Sequence, residues 1–310
     1  RSNALYLDRE SPRAKISAPE PVVLATDQIT HRNADGRGLY NDDVTLQVTV
    51  RDGNGADTGS GLQNVSCKVF VDGREEDSEG AYVKRLRECL NDAPENSMPE
   101  QVSYGDDSAL SGCEAEYTGT ITIPKGDVFE TNDIEVRVYA QDNAGNHTEG
   151  DEIGRIKLGI DSVGPKVSVS FDNNAAQNKM YFKDPRTARI RIYDRNIDPD
   201  RILSDTQTED MTGITYEGAD CYLKEIRYRK DGDYTLVVGG TDALGNGLKG
   251  EVSFEGTATD HFVIDQTAPK LLIENLKDGN AYNGEVAPLV KILDENFSGD
   301  LASLSLSLNV

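Results

Sequence analysis

Oxygen donors are the residues of this sequence whose types and spacing could do chemistry. Asp52-Gly53-Asn54-Gly55-Ala56-Asp57 places carboxylate and amide oxygens among glycines. Hard cations such as calcium take donors of this kind. A complete calcium loop of the helix–loop–helix type also needs a distal bidentate Glu, and Thr58 to Gly61 supply only turn residues. A glycine-rich hairpin turn is therefore the default for this stretch, and calcium held by Asp52, Asn54 and Asp57 the sharper expectation. A second set of carboxylates falls near internal boundaries. Asp142, Asp161, Asp194 and Asp198 are expected to gather at one joint, and Asp242, Asp265 and Asp294 at the next. Gathered carboxylates repel unless a cation or a basic side chain neutralises them. Each aspartate bonding its own turn backbone is the default here, and the gathering the sharper expectation. Calcium is the one cofactor these residues suggest.

Other chemistries find less support. A nucleophilic triad needs Ser or Cys beside His and an acid, but His31, His147 and His261 stand in polar contexts with no nucleophile elbow. Paired carboxylates can cleave a glycosidic bond. With 55 acids in 310 residues, however, such pairs arise trivially. No catalytic residue is nominated, and the chain is expected not to be an enzyme. Cys67, Cys89, Cys113 and Cys221 form no CxxC pair, which argues against structural zinc. A Cys89–Cys113 disulfide and four thiols stay equally open. Lys166 and Lys270 are read as solvated rather than as partners in a self-made isopeptide bond.

Composition sets the frame for these residues. A formal charge of -23 argues against nucleic acid and against an anionic membrane surface, since both select basic patches. Hydrophobic content of 36% fits several small cores better than one large one. The 29 glycines and 11 prolines are spread along the chain, as turns between many short strands require. No apolar run is long enough to span a membrane. Nothing at the start reads as a secretory leader, so position 1 is expected to fall inside a larger protein.

The positioning elements follow from an internal repeat. The junctions Leu7-Asp8-Arg9-Glu10-Ser11-Pro12, Ile160-Asp161-Ser162-Val163-Gly164-Pro165 and Ile264-Asp265-Gln266-Thr267-Ala268-Pro269 share one pattern, each followed by a basic residue. Each leads into an apolar run, then to a tyrosine (Tyr40, Tyr181, Tyr282), then to a strand stopping at Asp52, Asp194 or Asp294. The tyrosines read as hydrogen-bonded corner residues rather than a glycan-stacking platform. Asp142-Asn143-Ala144-Gly145-Asn146 and Asp242-Ala243-Leu244-Gly245-Asn246 close the two full repeats after alternating strands. The boundaries expected are 1–160, 161–264 and an incomplete 265–310. The first unit carries a polar insertion over about 73–112, where Tyr82, Arg85, Arg87 and Tyr104 are the candidate ligand contacts.

These motifs resemble tandem bacterial Ig-like repeats of large Gram-positive surface and secreted proteins. The likeness rests on the junctions, on Asp194-Arg195-Asn196-Ile197-Asp198 with its counterpart Asp294-Glu295-Asn296-Phe297, on Lys230-Asp231-Gly232-Asp233-Tyr234, and on the Asp–x–x–Gly–Asn turn. It implies an all-β class of immunoglobulin-like sandwiches in an extended array. It also implies an extracellular stalk or adhesion role, with neighbouring Ig-like domains of the same chain and host glycans or extracellular proteins as partners. The alternative is an accessory region of a secreted carbohydrate-active enzyme. Leu7-Asp8-Arg9-Glu10 also spells a cadherin-like string, read as coincidence because it marks a repeat start.

Overall fold

A computed structural model describes residues 7–30, 34–53, 59–75, 116–126, 129–205, 210–255, 260–297 and 304–305. Among these there is no α-helix, only strands and short 3-10 turns such as Gly150–Glu152 and Pro199–Arg201. Among the described residues no helix is long and apolar enough to cross a membrane. The chain divides into two compact units. One comprises residues 1–166, 193–203 and 239–251; the other comprises 167–192, 204–238 and 252–310. Asn54, Asp57, His31, Tyr82, Arg85, Arg87, Tyr104, Cys89 and Cys113 lie outside the described residues.

The first unit is built on β1 (Arg13–Ser17), β2 (Val23–Leu24), β3 (Gly38–Tyr40), β4 (Val44–Arg51), β5 (Leu62–Val71), β6 (Arg74–Glu75), β7 (Glu116–Ile123), β8 (Thr131–Asp142) and β9 (Gly154–Ile160). One sheet runs β1-β4-β7 and the other β2-β3-β9-β8-β5-β6. Neighbours pair antiparallel except β3 and β9, which are parallel. Alternation dictates what lies inside, because successive side chains of a strand point to opposite faces. Val44, Leu46, Val48 and Val50 of β4 are buried with Val65, Val69, Ile134, Val136 and Val138 from the other sheet in one apolar cluster. Ala25, Leu39, Ala243 and Leu244 form a smaller one.

Tyr117 enters the larger core from β7 with its hydroxyl buried and without a hydrogen-bond partner among the described residues. Burial pushes its phenol up to about 12. An unpaired buried hydroxyl costs free energy that a ring without it does not. Tyr117→Phe is therefore expected to raise stability by about 1 kcal/mol in urea unfolding. A loss of stability instead would show that the hydroxyl has a partner such as a bridging water.

Downstream lie β10 (Lys166–Phe171), β11 (Tyr181–Phe182), β12 (Arg186–Tyr193), β13 (Ile202–Asp205), β14 (Thr215–Gly218), β15 (Cys221–Tyr228), β16 (Gly232–Thr235), β17 (Val237–Gly240), β18 (Ser253–Phe254), β19 (His261–Ile264), β20 (Lys270–Glu274) and β21 (Leu289–Leu293). The wiring of the first unit returns here. The order β15-β12-β10 repeats β7-β4-β1, and β11-β19-β16 repeats β3-β9-β8, with β11 and β19 again parallel. The alternating strand expected ahead of the Asp242 turn is divided into β16 and β17 at Leu236, whose N–H donates to the Asp260 carbonyl at 2.8 Å. β20 and β21 pair as an antiparallel hairpin in which Leu271, Leu272, Ile273, Leu289 and Leu293 are exposed and Val290 and Ile292 half-buried. Lys166 and Lys270 are exposed, as the solvated reading requires.

Candidate functional site

The pentapeptide at the end of each full repeat explains itself locally. The Asn146 N–H donates to Asp142 Oδ1 at 2.8 Å and its Nδ2 to Asp142 Oδ2 at 2.6 Å. Asn246 does the same to Asp242 at 2.8 and 2.7 Å. Gly145 and Gly245 hold φ of 91° and 88°, the left-handed region that a Cβ disfavours. The turn thus gives each carboxylate oxygen one donor and buries the carboxyl: Asp142 and Asp242 are each 0% exposed.

The junction aspartate is set by a second local rule. Its Oδ1 accepts from the backbone two residues ahead: Glu10 onto Asp8 at 3.0 Å, Val163 onto Asp161 at 3.4 Å and Thr267 onto Asp265 at 3.1 Å. The closing Asn then reaches back to the junction. Asn246 Nδ2 donates to the Asp161 carbonyl at 2.8 Å, and Asn146 Nδ2 sits 3.5 Å from the Asp8 carbonyl.

These rules bring the repeat aspartates together in threes. Carboxylate oxygens of Asp8, Asp52 and Asp142 lie within 4.8 Å of one another, as do those of Asp161, Asp194 and Asp242. The gathering of Asp142 with Asp161, Asp194 and Asp198 is therefore not the one found. Each triad takes one aspartate from a junction, one from the end of a second strand and one from a closing turn. Asp198 instead accepts from the Asp200 N–H at 3.1 Å, capping a 3-10 turn, and pairs with Arg201 at 3.2 Å. Asp265 accepts from Asn296 Nδ2 at 3.0 Å, while the Asn296 N–H donates to Asp294 at 2.9 Å.

The second triad carries its own neutralising groups. Asn196 Nδ2 donates to Asp161 Oδ2 at 2.5 Å, and the Asn196 N–H donates to Asp194 Oδ1 at 2.7 Å. The Arg195 guanidinium stands 3.7 Å from Asp161 and 3.3 Å from Glu130, and it also donates to the Glu130 carbonyl. Burial nevertheless dominates. It pushes Asp194 up to about 8, aided by Asp161, and raises Asp161 and Asp242 as well. The retained proton belongs to the group rather than to one residue.

A pH dependence follows with a definite sign. Asp194 binds its proton more tightly folded than unfolded, so this contribution to stability is complete below the ordinary value of 3.8 and is lost as pH rises through about 8. Asp194→Asn keeps the acceptor for the Asn196 N–H and removes the charge. The variant is expected to exceed the parent by about 1–2 kcal/mol at pH 9 and to flatten the decline from pH 5 in urea unfolding. A parallel decline in both proteins would show that Asp194 is not the titrating group.

Other expected positions fall as follows. Tyr40 is buried, and its hydroxyl donates to the Pro19 carbonyl at 2.9 Å, as a corner residue should. Its counterpart in the second repeat is Phe182 rather than Tyr181. Tyr40 O accepts from the Asp161 N–H at 2.8 Å, and Phe182 O accepts from the Asp265 N–H at 2.9 Å. His147 is exposed, and His261 lies 2.6 Å from Asp233. Cys67 and Cys221 are buried. Asp8 is not among the carboxylates that the sequence alone groups as ligands. The signal that finds it is the alignment of three junctions, each opening a repeat with its own aspartates.

No family model matches the chain, and no curated protein matches it. Among solved structures it is similar to a 1.5-MDa bacterial ice-binding adhesin studied for host cell surface retention, at 12% identity and a TM-score of 0.26, covering 77% of this chain and 62% of that one. It is also similar to SGBP-B of the Bacteroides ovatus mixed-linkage glucan utilization locus, solved with a mixed-linkage heptasaccharide, at 12% identity and a TM-score of 0.16, covering 87% of this chain and 66% of that one. The chain thus spans less than two thirds of each neighbour. Likenesses of this size establish neither a shared fold nor a shared ligand.

Proposed function

We propose that this chain is a non-catalytic spacing and adhesion module of a bacterial surface or secreted protein, built from tandem Ig-like sandwiches with repeats opening at Asp161 and Asp265. One observation carries the reading: the residues that recur between the two full repeats serve the architecture. Asp142 and Asp242 fold the closing turns, and Asn146 and Asn246 reach back to the junctions. Residues shared by both full repeats and committed to turns serve a scaffold; a reaction would need them presented to a substrate. The parallel β3–β9 and β11–β19 pairings, each in a sheet separate from the one that carries β1-β4-β7 or β10-β12-β15, support the sandwich wiring. A surface as acidic as this keeps an extracellular protein soluble and repels nucleic acid.

Ligand contact on this reading belongs to positions that do not recur, above all the first-unit insertion with Tyr82, Arg85, Arg87 and Tyr104. The test is an array of glycans and host extracellular proteins probed with the full chain, alongside assays for sugar release from the same glycans. Saturable binding without product supports the module. Product that disappears on replacing a single acid overturns it.

A further inference from the structure

We infer that Asp8, Asp52 and Asp142 form a divalent-cation site of the calcium class, and that the second triad, though built by the same repeat positions, does not. The first observation is the cluster itself, with carboxylate oxygens within 4.8 Å of one another. Alone that would say little. The second observation is Asp52 Oδ1, a buried carboxylate oxygen with no hydrogen-bond partner among the described residues, on a side chain only 4% exposed. The other oxygen, Oδ2, accepts from the Gly61 N–H at 2.7 Å. Asp8 is committed on both sides, accepting from Glu10 at 3.0 Å and from the Ser60 N–H at 2.6 Å. Asp142 is held by Asn146. The triad is thus fixed from outside, and among the described residues Asp52 Oδ1 is a buried carboxylate oxygen that no donor reaches. Burial raises the Asp52 carboxyl, and the charges of Asp8 and Asp142 raise it further.

The comparison inside the chain makes the inference specific. Where the second repeat carries Arg195 after its strand-end aspartate, the first carries Gly53. The second triad receives that guanidinium at 3.7 Å and the Asn196 amide at 2.5 Å. Among the described residues no Lys or Arg forms an ion pair with Asp8, Asp52 or Asp142. Three carboxylates with oxygen-only chemistry suit a hard cation. Calcium tolerates the irregular geometry and completes its shell with carbonyls and water, whereas magnesium demands a near-octahedral set.

The experiment is thermal unfolding of the chelator-treated full chain with calcium chloride or magnesium chloride, together with Asp52→Asn and Asp242→Asn. Parent protein at about 10 mM calcium is expected to melt about 3–10 °C higher, as a site of about 0.1–1 mM affinity requires. Magnesium should give less than half that shift. Asp52→Asn should melt at or above the parent in chelator, because it relieves repulsion, and should not respond to calcium. That reversal separates loss of a cation from loss of folding. Asp242→Asn should keep the full calcium response. No shift in the parent overturns the inference, as does an equal shift in Asp52→Asn or loss of the shift in Asp242→Asn.

Discussion

Phe262→Ala is expected to cost about 3–5 kcal/mol, the largest loss of any single truncation in the second unit. Phe262 is 0% exposed and sits at the centre of an aromatic group. Its ring meets Phe171 at 5.4 Å, Phe182 at 6.1 Å and Tyr228 at 5.0 Å edge-on, and Tyr234 at 5.7 Å. Edge-to-face pairs add stabilisation beyond area burial because each ring edge meets a negative face. The truncation also disturbs a charge. The Arg186 guanidinium lies 3.8 Å from the Phe171 and Phe182 ring centres and 4.5 Å from that of Phe262, and burial lowers its pKa to about 10. Removing one wall leaves a buried cation with less π density around it and a cavity that rigid strands cannot close. Urea unfolding followed by tyrosine fluorescence measures the cost. Phe262→Leu should recover more than half of it. A loss below 1 kcal/mol for the alanine variant would mean that this aromatic group is not a cooperative core.

Much of this arrangement was legible in the residue order because it is local or periodic. The strands expected to stop at Asp52 and ahead of the Asp142 turn lie there as β4 and β8, since a strand with one buried face must alternate. The Asp–x–x–Gly–Asn turn was legible for the same reason: its donors and acceptors are four residues apart. The triads were not. Asp8 reaches Asp52 and Asp142 only after the strands between them pair, and no local pattern records which aspartates those pairings bring together. Grouping by proximity along the chain put Asp142 with Asp161; the wiring puts it with Asp8. The tyrosine shared by the three repeats misled by one position. Tyr181 matches the motif, yet Phe182 occupies the ladder site of Tyr40, because register follows hydrogen bonds and not residue type. The cage around Arg186 left no trace in the sequence, since Phe171, Phe182 and Phe262 converge from three separate strands.

Arg195→Met is expected to cost about 2–4 kcal/mol at pH 8 and clearly less at pH 5. Methionine keeps the length and apolar stem of the side chain, so the difference isolates the guanidinium. Arg195 stands between the Asp161 carboxylate and Glu130, whose own oxygens also accept from the Ser162 N–H at 3.0 Å and from the Ser162 hydroxyl. With the cation gone, Asp161, Asp194 and Asp242 face one another with only amide donors to hold them. Buried like charges can relax in two ways: by taking up protons or by opening the structure. Protonation is available at low pH, because burial already holds Asp194 and Asp161 above the ordinary carboxylate range. As pH rises toward and through about 8 that route closes progressively and the loss grows. Adding Asp194→Asn to Arg195→Met should then recover stability at pH 8, since one charge fewer needs no counterion. Additive losses in the double variant would show that Arg195 acts through Glu130 alone, and that the second triad is indifferent to its guanidinium.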